Sequence, residues 1–367
     1  MKGLYIHIPF CIKKCNYCDF ASYPSCISRA DEYINALNGE MKKYKGEDID
    51  TVYFGGGTPS LLKAKEISSI INSVFSNFNV SSDAEITIEA NPCTVNKEKA
   101  RQLMNMGFNR VSLGAQSFID SELELLGRAH KVSDTIFAYD ILTNAGFDNI
   151  SLDLMYALFN QSLKSLSTSI LQMLKLKPKH LSCYGLKIED GTLFSLMQKS
   201  GEIKEKSDDE YADMYELICE SFENAGYEQY ELSNFSLPGF ESKHNLKYWT
   251  CGEYIGLGLS ASSYYNGKRY TNIPDFDKYL KTPQTIEEFE LSTEDKMSEY
   301  MFLNLRLVNK GAVKKDFENT FNKKIEDVFS VAIKKHLKLG TLLDLGDRYV
   351  LSKKAYYISN SVLCDFV

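Results

Sequence analysis

Three cysteines crowd the start of the chain: Cys11, Cys15 and Cys18, in the run CIKKCNYC. Their C-x3-C-x2-C spacing closes a compact loop that brings three sulfurs to one point with no fourth partner nearby. A structural zinc site wants four closed ligands, typically from paired C-x2-C knuckles. Iron–sulfur clusters are also held by cysteine thiolates, normally four of them. Three thiolates on a cubane leave one iron open to an exchangeable ligand. Buried structural cysteines, or a zinc site, are the alternative reading of the same residues.

Other groups suited to chemistry recur after short β-type runs. Gly55-Gly56-Gly57-Thr58-Pro59 lets backbone approach a ligand and is expected to leave amide hydrogens free to bind it. An ordinary tight turn after a strand would read the same way. Tyr5, Glu89, Gln116, Arg128 and Asp153 are polar groups at or near strand ends, able to hydrogen-bond ribose hydroxyls or a carboxylate. Singly, each fits a capping or surface role equally well; together, beside one cysteine loop, they favour a lined pocket.

The elements that must position these groups are six β-type runs: Leu4 to Ile8, Thr51 to Phe54, Glu85 to Ala90, Arg110 to Gly114, Asn149 to Asp153 and His180 to Gly185. Stretches with helical apolar spacing lie between them, as in 30–44 and 96–106. This order predicts a parallel α/β fold, a partial (β/α)6 TIM-like barrel whose C-terminal strand ends collect the site. Alternation puts Tyr5 and His7 on one face of the first strand, expected to be the lumen. The expected division is a barrel over 1–189, an α+β extension over 190–289 and a small helical C-terminal part with a hairpin over 290–367. Within the extension, Ser207 and Glu210 form a capping-box pair and Gly226 stops the helix they start.

Composition narrows the partners. The 367 residues are 44% hydrophobic, enough for a sizeable core, and no apolar run reaches the length of a transmembrane helix. A net charge of −7 disfavours a general polyanion surface, so nucleic acid is not an expected partner. The C-terminal part carries thirteen Lys plus Arg against eleven Asp plus Glu, too balanced for a nucleic-acid reader. Nine cysteines, six of them scattered singly, do not form a disulfide framework, and a cytoplasmic location is expected.

The cysteine spacing after a first strand resembles the radical S-adenosylmethionine superfamily. The resemblance implies a 4Fe-4S cluster on Cys11, Cys15 and Cys18. Its open iron would chelate the methionine moiety of S-adenosylmethionine, and reductive cleavage would release a 5′-deoxyadenosyl radical. Four segments carry a closer likeness: YIHIPFCIKKCNYCDF, YFGGGTPSLL, the pair RVSLGAQSF and LLGRAH, and YELSNFSLPGFESKHNLKYW. They resemble the oxygen-independent coproporphyrinogen III dehydrogenases and their relatives, the HemW-type heme chaperones. Carried over residue by residue, Tyr5, Gly57, Thr58, Glu89, Gln116, Arg128, Asp153 and the backbone at Gly185 would contact S-adenosylmethionine.

Two features point to the chaperone branch. Phe20 stands where the dehydrogenases have a fourth cysteine, and the cysteine loop opens at residue 11 rather than after an extension. This resemblance implies heme as cargo, an acceptor hemoprotein that could be membrane-bound, and an electron donor such as a flavodoxin or ferredoxin. Oxidative decarboxylation of coproporphyrinogen III is the alternative. The HNLKYW segment, with His244, Tyr248 and Trp249, is linked to heme in the chaperones. An imidazole is a common heme ligand and aromatic rings pack on a porphyrin face. The same segment would serve equally as a hydrogen-bonded turn whose aromatics fill a seam. Two departures stand out: Ala157-Leu158-Phe159 replaces the Gly-Leu-Pro usual in relatives, and Ser262 replaces a frequent His. Among the remaining histidines, His7 is the likeliest functional one because it should face the lumen.

Overall fold

The computed structural model describes residues 1–367. Six strands, β1 (Lys2–Ile8), β2 (Asp48–Gly56), β3 (Asn79–Ala90), β4 (Arg110–Gln116), β5 (Asn149–Tyr156) and β6 (His180–Gly185), pair in parallel in that order. The helices between them are α1 (Ala30–Met41), α2 (Ala64–Asn77), α3 (Lys97–Asn105), α4 (Asp120–Leu125), α5 (Val132–Ala145) and α6 (Leu163–Lys175). This is the expected (β/α)6 arrangement. Leu4, Ile6 and Ile8 are fully buried in the core of 57 residues, while Tyr5 and His7 take the opposite face, as strand alternation requires. Asn96 caps α3 through its side chain, and left-handed Gly146 ends α5.

The sheet does not stop at six strands. After α7 (Leu193–Lys199) and α8 (Asp208–Asn224), β7 (Glu228–Glu231) and β8 (Asn234–Ser236) join antiparallel beside β6. Ser207 and Glu210 cap α8 reciprocally, as the spacing predicts. The chain then crosses in α9 (Lys243–Trp249) to the opposite edge, where β9 (Tyr254–Leu257) runs parallel to β1. Beyond β9 lie β10 (Ser262–Tyr265), β11 (Lys268–Asn272), α10 (Phe276–Lys281) and β12 (Thr285–Glu290), completing twelve strands in one sheet. The turn from β10 to β11 is Asn266-Gly267, both left-handed, the dipeptide that the twist of a two-residue hairpin favours.

A second core of 17 buried residues gathers sixteen side chains of the C-terminal part around Leu232 from the turn between β7 and β8. The C-terminal part comprises α11 (Thr293–Asn304), β13 (Ala312–Val313), α12 (Lys314–Phe321), α13 (Ile325–Val328), α14 (Ser330–Leu339), β14 (Leu342–Asp344), β15 (Arg348–Leu351) and α15 (Ser359–Leu363). The hairpin of β14 and β15 turns across Leu345-Gly346-Asp347. No helix is long and apolar enough to cross a membrane.

Candidate cofactor cavity and aromatic cleft

The cysteine loop leaves β1 over the mouth of the barrel and is tied down from several sides. The Asn16 amide donates to the Leu126 carbonyl at 3.1 Å, and its side chain donates to the Leu125 carbonyl at 2.8 Å. Phe194 of α7 donates to the Asn16 carbonyl, and the Tyr23 amide returns to Pro9. The loop is thereby held before any ligand binds. Thr58 donates to the Cys11 sulfur at 3.6 Å, and Arg128 reaches the Cys15 sulfur at 3.5 Å.

Behind the loop lies a cavity of about 300 Å³. Cys11, Cys15 and Cys18 share its wall with Gly57, Thr58, Glu89, Gln116, Arg128, Asp153 and Gly185. These groups come from the C-terminal ends of six different strands or the loops beyond them, which a barrel gathers at one mouth. Tyr5 is not among them.

The glycine run departs from expectation. The amides of Gly57 and Thr58 donate to the carbonyls of Ile8 and Phe10, and that of Gly56 donates to Glu89, so these hydrogens are already used. The glycines serve close approach instead: a Cβ at Gly57 would lie 2.7 Å from the Phe10 carbonyl oxygen. The run fastens β2 to the start of the cysteine loop.

Two carboxyls lie deep in the cavity. Burial pushes Glu89 up to about 7 against the pull of the Tyr53 hydroxyl, which donates to it at 2.8 Å. Burial likewise pushes Asp153 up to about 6, opposed by hydrogen bonds from Ser112 and Ser151. Burial works against the Arg128 guanidinium, which nevertheless stays charged, as an arginine does. It donates to the Gly114 carbonyl at 2.9 Å, while its Nε is buried with no partner. Gln116 ends β4 in a left-handed conformation with φ of 66°, and its side-chain oxygen accepts from Tyr184 at 2.7 Å.

Sequence reasoning passed over Tyr17 and Tyr184. Both line the cavity, and the Tyr17 hydroxyl lies 3.4 Å from Arg128. The signal for Tyr17 was its place between the second and third cysteines.

A second cleft, of about 440 Å³, runs along the inner face of β1, β9 and β10. Tyr5, His7, Tyr248, Trp249, Tyr254 and Ser262 line it with Phe20, which also lines the cavity behind the cysteine loop. Leu303 of α11 closes another side, and Arg306 stacks on the Trp249 ring at 4.4 Å.

His244 lies elsewhere. It is 1% exposed, stacked on Tyr53 at 5.0 Å, and absent from the cleft lining. Its Nδ1 bonds Thr51 at 2.9 Å, its Nε2 bonds Tyr248 at 2.7 Å, and its amide donates to Glu85. Burial pushes the imidazole down to about 3, so it stays neutral.

Comparison with known proteins agrees with this architecture. Residues 5–171 match the model of the radical SAM superfamily. The chain is 37% identical to the heme chaperone HemW of Lactococcus lactis, over 99% of this chain and 96% of that one. It is 36% identical to the heme chaperone HemW of Bacillus subtilis, over 100% and 99% of the two chains. Among solved structures, coproporphyrinogen III oxidase from Escherichia coli, a radical SAM enzyme, superposes with a TM-score of 0.86 at 22% identity, covering 99% of this chain and 89% of that one. The last likeness shows the fold. The full-length identities show the family: the chain belongs to the radical SAM superfamily and, within it, to the HemW family of heme chaperones.

Proposed function

We propose that the chain carries heme. A 4Fe-4S cluster is held by Cys11, Cys15 and Cys18, S-adenosylmethionine fills the cavity behind it, heme sits in the aromatic cleft, and heme passes from there to an acceptor hemoprotein. The donor set fits the cluster: three free thiols line one cavity, yet no three His, Cys, Asp or Glu side chains stand close enough to hold a single metal ion. Thiolates that each bind a different iron of a cluster stand farther apart than ligands of one zinc. The cavity fits a zwitterionic nucleotide, because Arg128 keeps a buried, unpartnered Nε for a carboxylate, and Glu89 and Asp153 accept from hydroxyls.

When bound, the cluster and S-adenosylmethionine supply one-electron chemistry, fed by a flavodoxin- or ferredoxin-like donor. The chain's own residues bind and orient. Thr58 and Arg128 hold the sulfurs of Cys11 and Cys15, and Tyr53 fixes the Glu89 carboxyl. Tyr248 and Trp249 offer their rings to the porphyrin, and His244 holds Tyr248 from behind.

The observation that carries this reading is Phe20. It is 61% exposed and lines both the cofactor cavity and the aromatic cleft, so a ligand in one touches the same ring as a ligand in the other. Occupancy of the cavity can then bias release from the cleft, provided the two states differ in affinity. The test is anaerobic reconstitution with iron and sulfide, then two assays on one sample. Heme titration followed through the Soret band should saturate near one heme per chain. Incubation with coproporphyrinogen III and a reductant should yield no protoporphyrinogen IX; steady turnover would make the chain a dehydrogenase instead.

A further inference from the structure

We infer that His7 provides the iron ligand for the heme, an assignment that rests on the heme reading above and deepens it. Of the five histidines in the chain, His7 is the one that lines the aromatic cleft. Its Nε2 lies 2.8 Å from the carbonyl oxygen of Ala21. A carbonyl only accepts, so the ring proton resides on Nε2 and Nδ1 presents a lone pair. Histidines that ligate metals characteristically donate their other ring nitrogen to a carbonyl, a carboxylate or water, which fixes the tautomer and the ring orientation. His7 has that arrangement in advance of any metal.

The ring is further fixed by packing. A Cβ at Gly56 would lie 2.5 Å from its Cε1, so only glycine admits the imidazole there. Burial lowers the imidazole's proton affinity and keeps it neutral, the form that binds iron. The partner of Nδ1 is the Tyr5 hydroxyl at 3.1 Å, and Tyr5 lines the same cleft. Turning that hydroxyl aside releases the lone pair. His244 is absent from the cleft lining, and its two nitrogens are bonded to Thr51 and to the hydroxyl of Tyr248, whose ring stands between it and the cleft. Ser262 supplies another part of the wall without an imidazole, so His7 would be the one histidine that could hold the iron from this cleft, and a second histidine would have to come from an acceptor protein. Such a cargo remains exchangeable.

The test is hemin titration of the full reconstituted chain carrying isotope-labelled histidine, with nitrogen hyperfine coupling read from the bound ferric heme. His7→Gln retains a donor for the Ala21 carbonyl but removes the imidazole. It should abolish the coupling and weaken binding at least about tenfold, with iron and sulfide content unchanged, an effect of the size that loss of ligand support has on metal affinity. His244→Gln should keep the coupling. Tyr5→Phe removes the hydroxyl that competes for Nδ1 and should tighten binding about two- to tenfold, the worth of one hydrogen bond.

Retention of coupling and affinity by His7→Gln, or loss of coupling in His244→Gln alone, would overturn the assignment while leaving heme binding intact. If His7→Gln loses its cluster, the Tyr5→Phe titration decides: binding that is unchanged or weaker overturns the assignment. A wild-type chain that takes up no heme would overturn the proposed function itself.

Discussion

The hydroxyl of Tyr53 donates to the carboxyl of Glu89 at 2.8 Å, and this bond links the cofactor cavity to the barrel interior where His244 is stacked on the same tyrosine. Because burial holds Glu89 up at about 7, it changes charge near neutral pH. A raised carboxyl pKa means that the folded state binds the proton more tightly than the unfolded chain, so the ligand-free fold loses stability as the pH rises from the unfolded value through about 7. Ligand binding runs the other way, because ribose hydroxyls donate better to the anion. S-adenosylmethionine affinity, measured by calorimetry on the reconstituted chain, should rise as pH passes through this range, and Glu89→Gln should remove the part of the rise near 7 while leaving the part near 6 that Asp153 contributes. A wild-type profile already flat across it would remove Glu89 from the binding site.

Arg128 contacts the Gly114 carbonyl, the Cys15 sulfur and the Tyr17 hydroxyl at once. A lysine is a single point donor and does not reproduce that planar fork. Arg128→Lys should therefore weaken S-adenosylmethionine binding by about ten- to a hundredfold, the range expected for charge-assisted hydrogen bonds. The iron content of the freshly reconstituted variant should stay near wild type. Equal affinity in the two proteins would show that the guanidinium does not reach the ligand.

Ala157 adopts a left-handed conformation with φ of 60° and is nearly buried. A left-handed backbone costs a residue with a Cβ roughly 1–2 kcal/mol, which glycine avoids, although glycine gains freedom in the unfolded chain. Ala157→Gly should stabilise the chain by about 0.5–1 kcal/mol, read as a higher denaturant midpoint at unchanged slope. A destabilised variant would mean that the alanine methyl contributes packing worth more than the strain.

His244 joins Thr51, Tyr248 and Glu85 in the barrel interior. Removing the ring leaves Thr51 and Tyr248 without their partner and opens a space beneath Tyr53. His244→Ala should cost about 2–4 kcal/mol of stability in chemical denaturation, in the range of buried large-to-small changes with lost hydrogen bonds. A change of under about 0.5 kcal/mol, the level of surface substitutions, would contradict this packing role.

Much of the site follows from local pattern. The three cysteines lie within eight residues, so their convergence needs only a loop, and the capping pair at Ser207 and Glu210 is equally local. Glu89, Gln116, Arg128 and Asp153 are far apart in sequence, but each was read at or near a strand end, and barrel geometry carries such ends to one mouth. The hairpin at Asn266-Gly267 is legible too, as a strong two-residue turn signal between β-type runs. Tyr5 illustrates the opposite case. Alternation turns it inward, yet the inward face of β1 borders a different cleft, because β9 and β10 extend the sheet there.

Residue types and short-range spacing thus decided the chemistry this chain carries: a trio of thiols, a glycine turn and a repeating strand–helix order are all written within windows of a few residues. Which ligand atoms are available was decided only by folding. Whether the amides of Gly57 and Thr58 are free, and whether His7 or His244 presents a nitrogen to the cleft, depends on partners many residues away, such as Phe10, Ala21 and Thr51. Hydrogen bonds to distant groups consume donors and lone pairs one by one, and no local pattern records which remain.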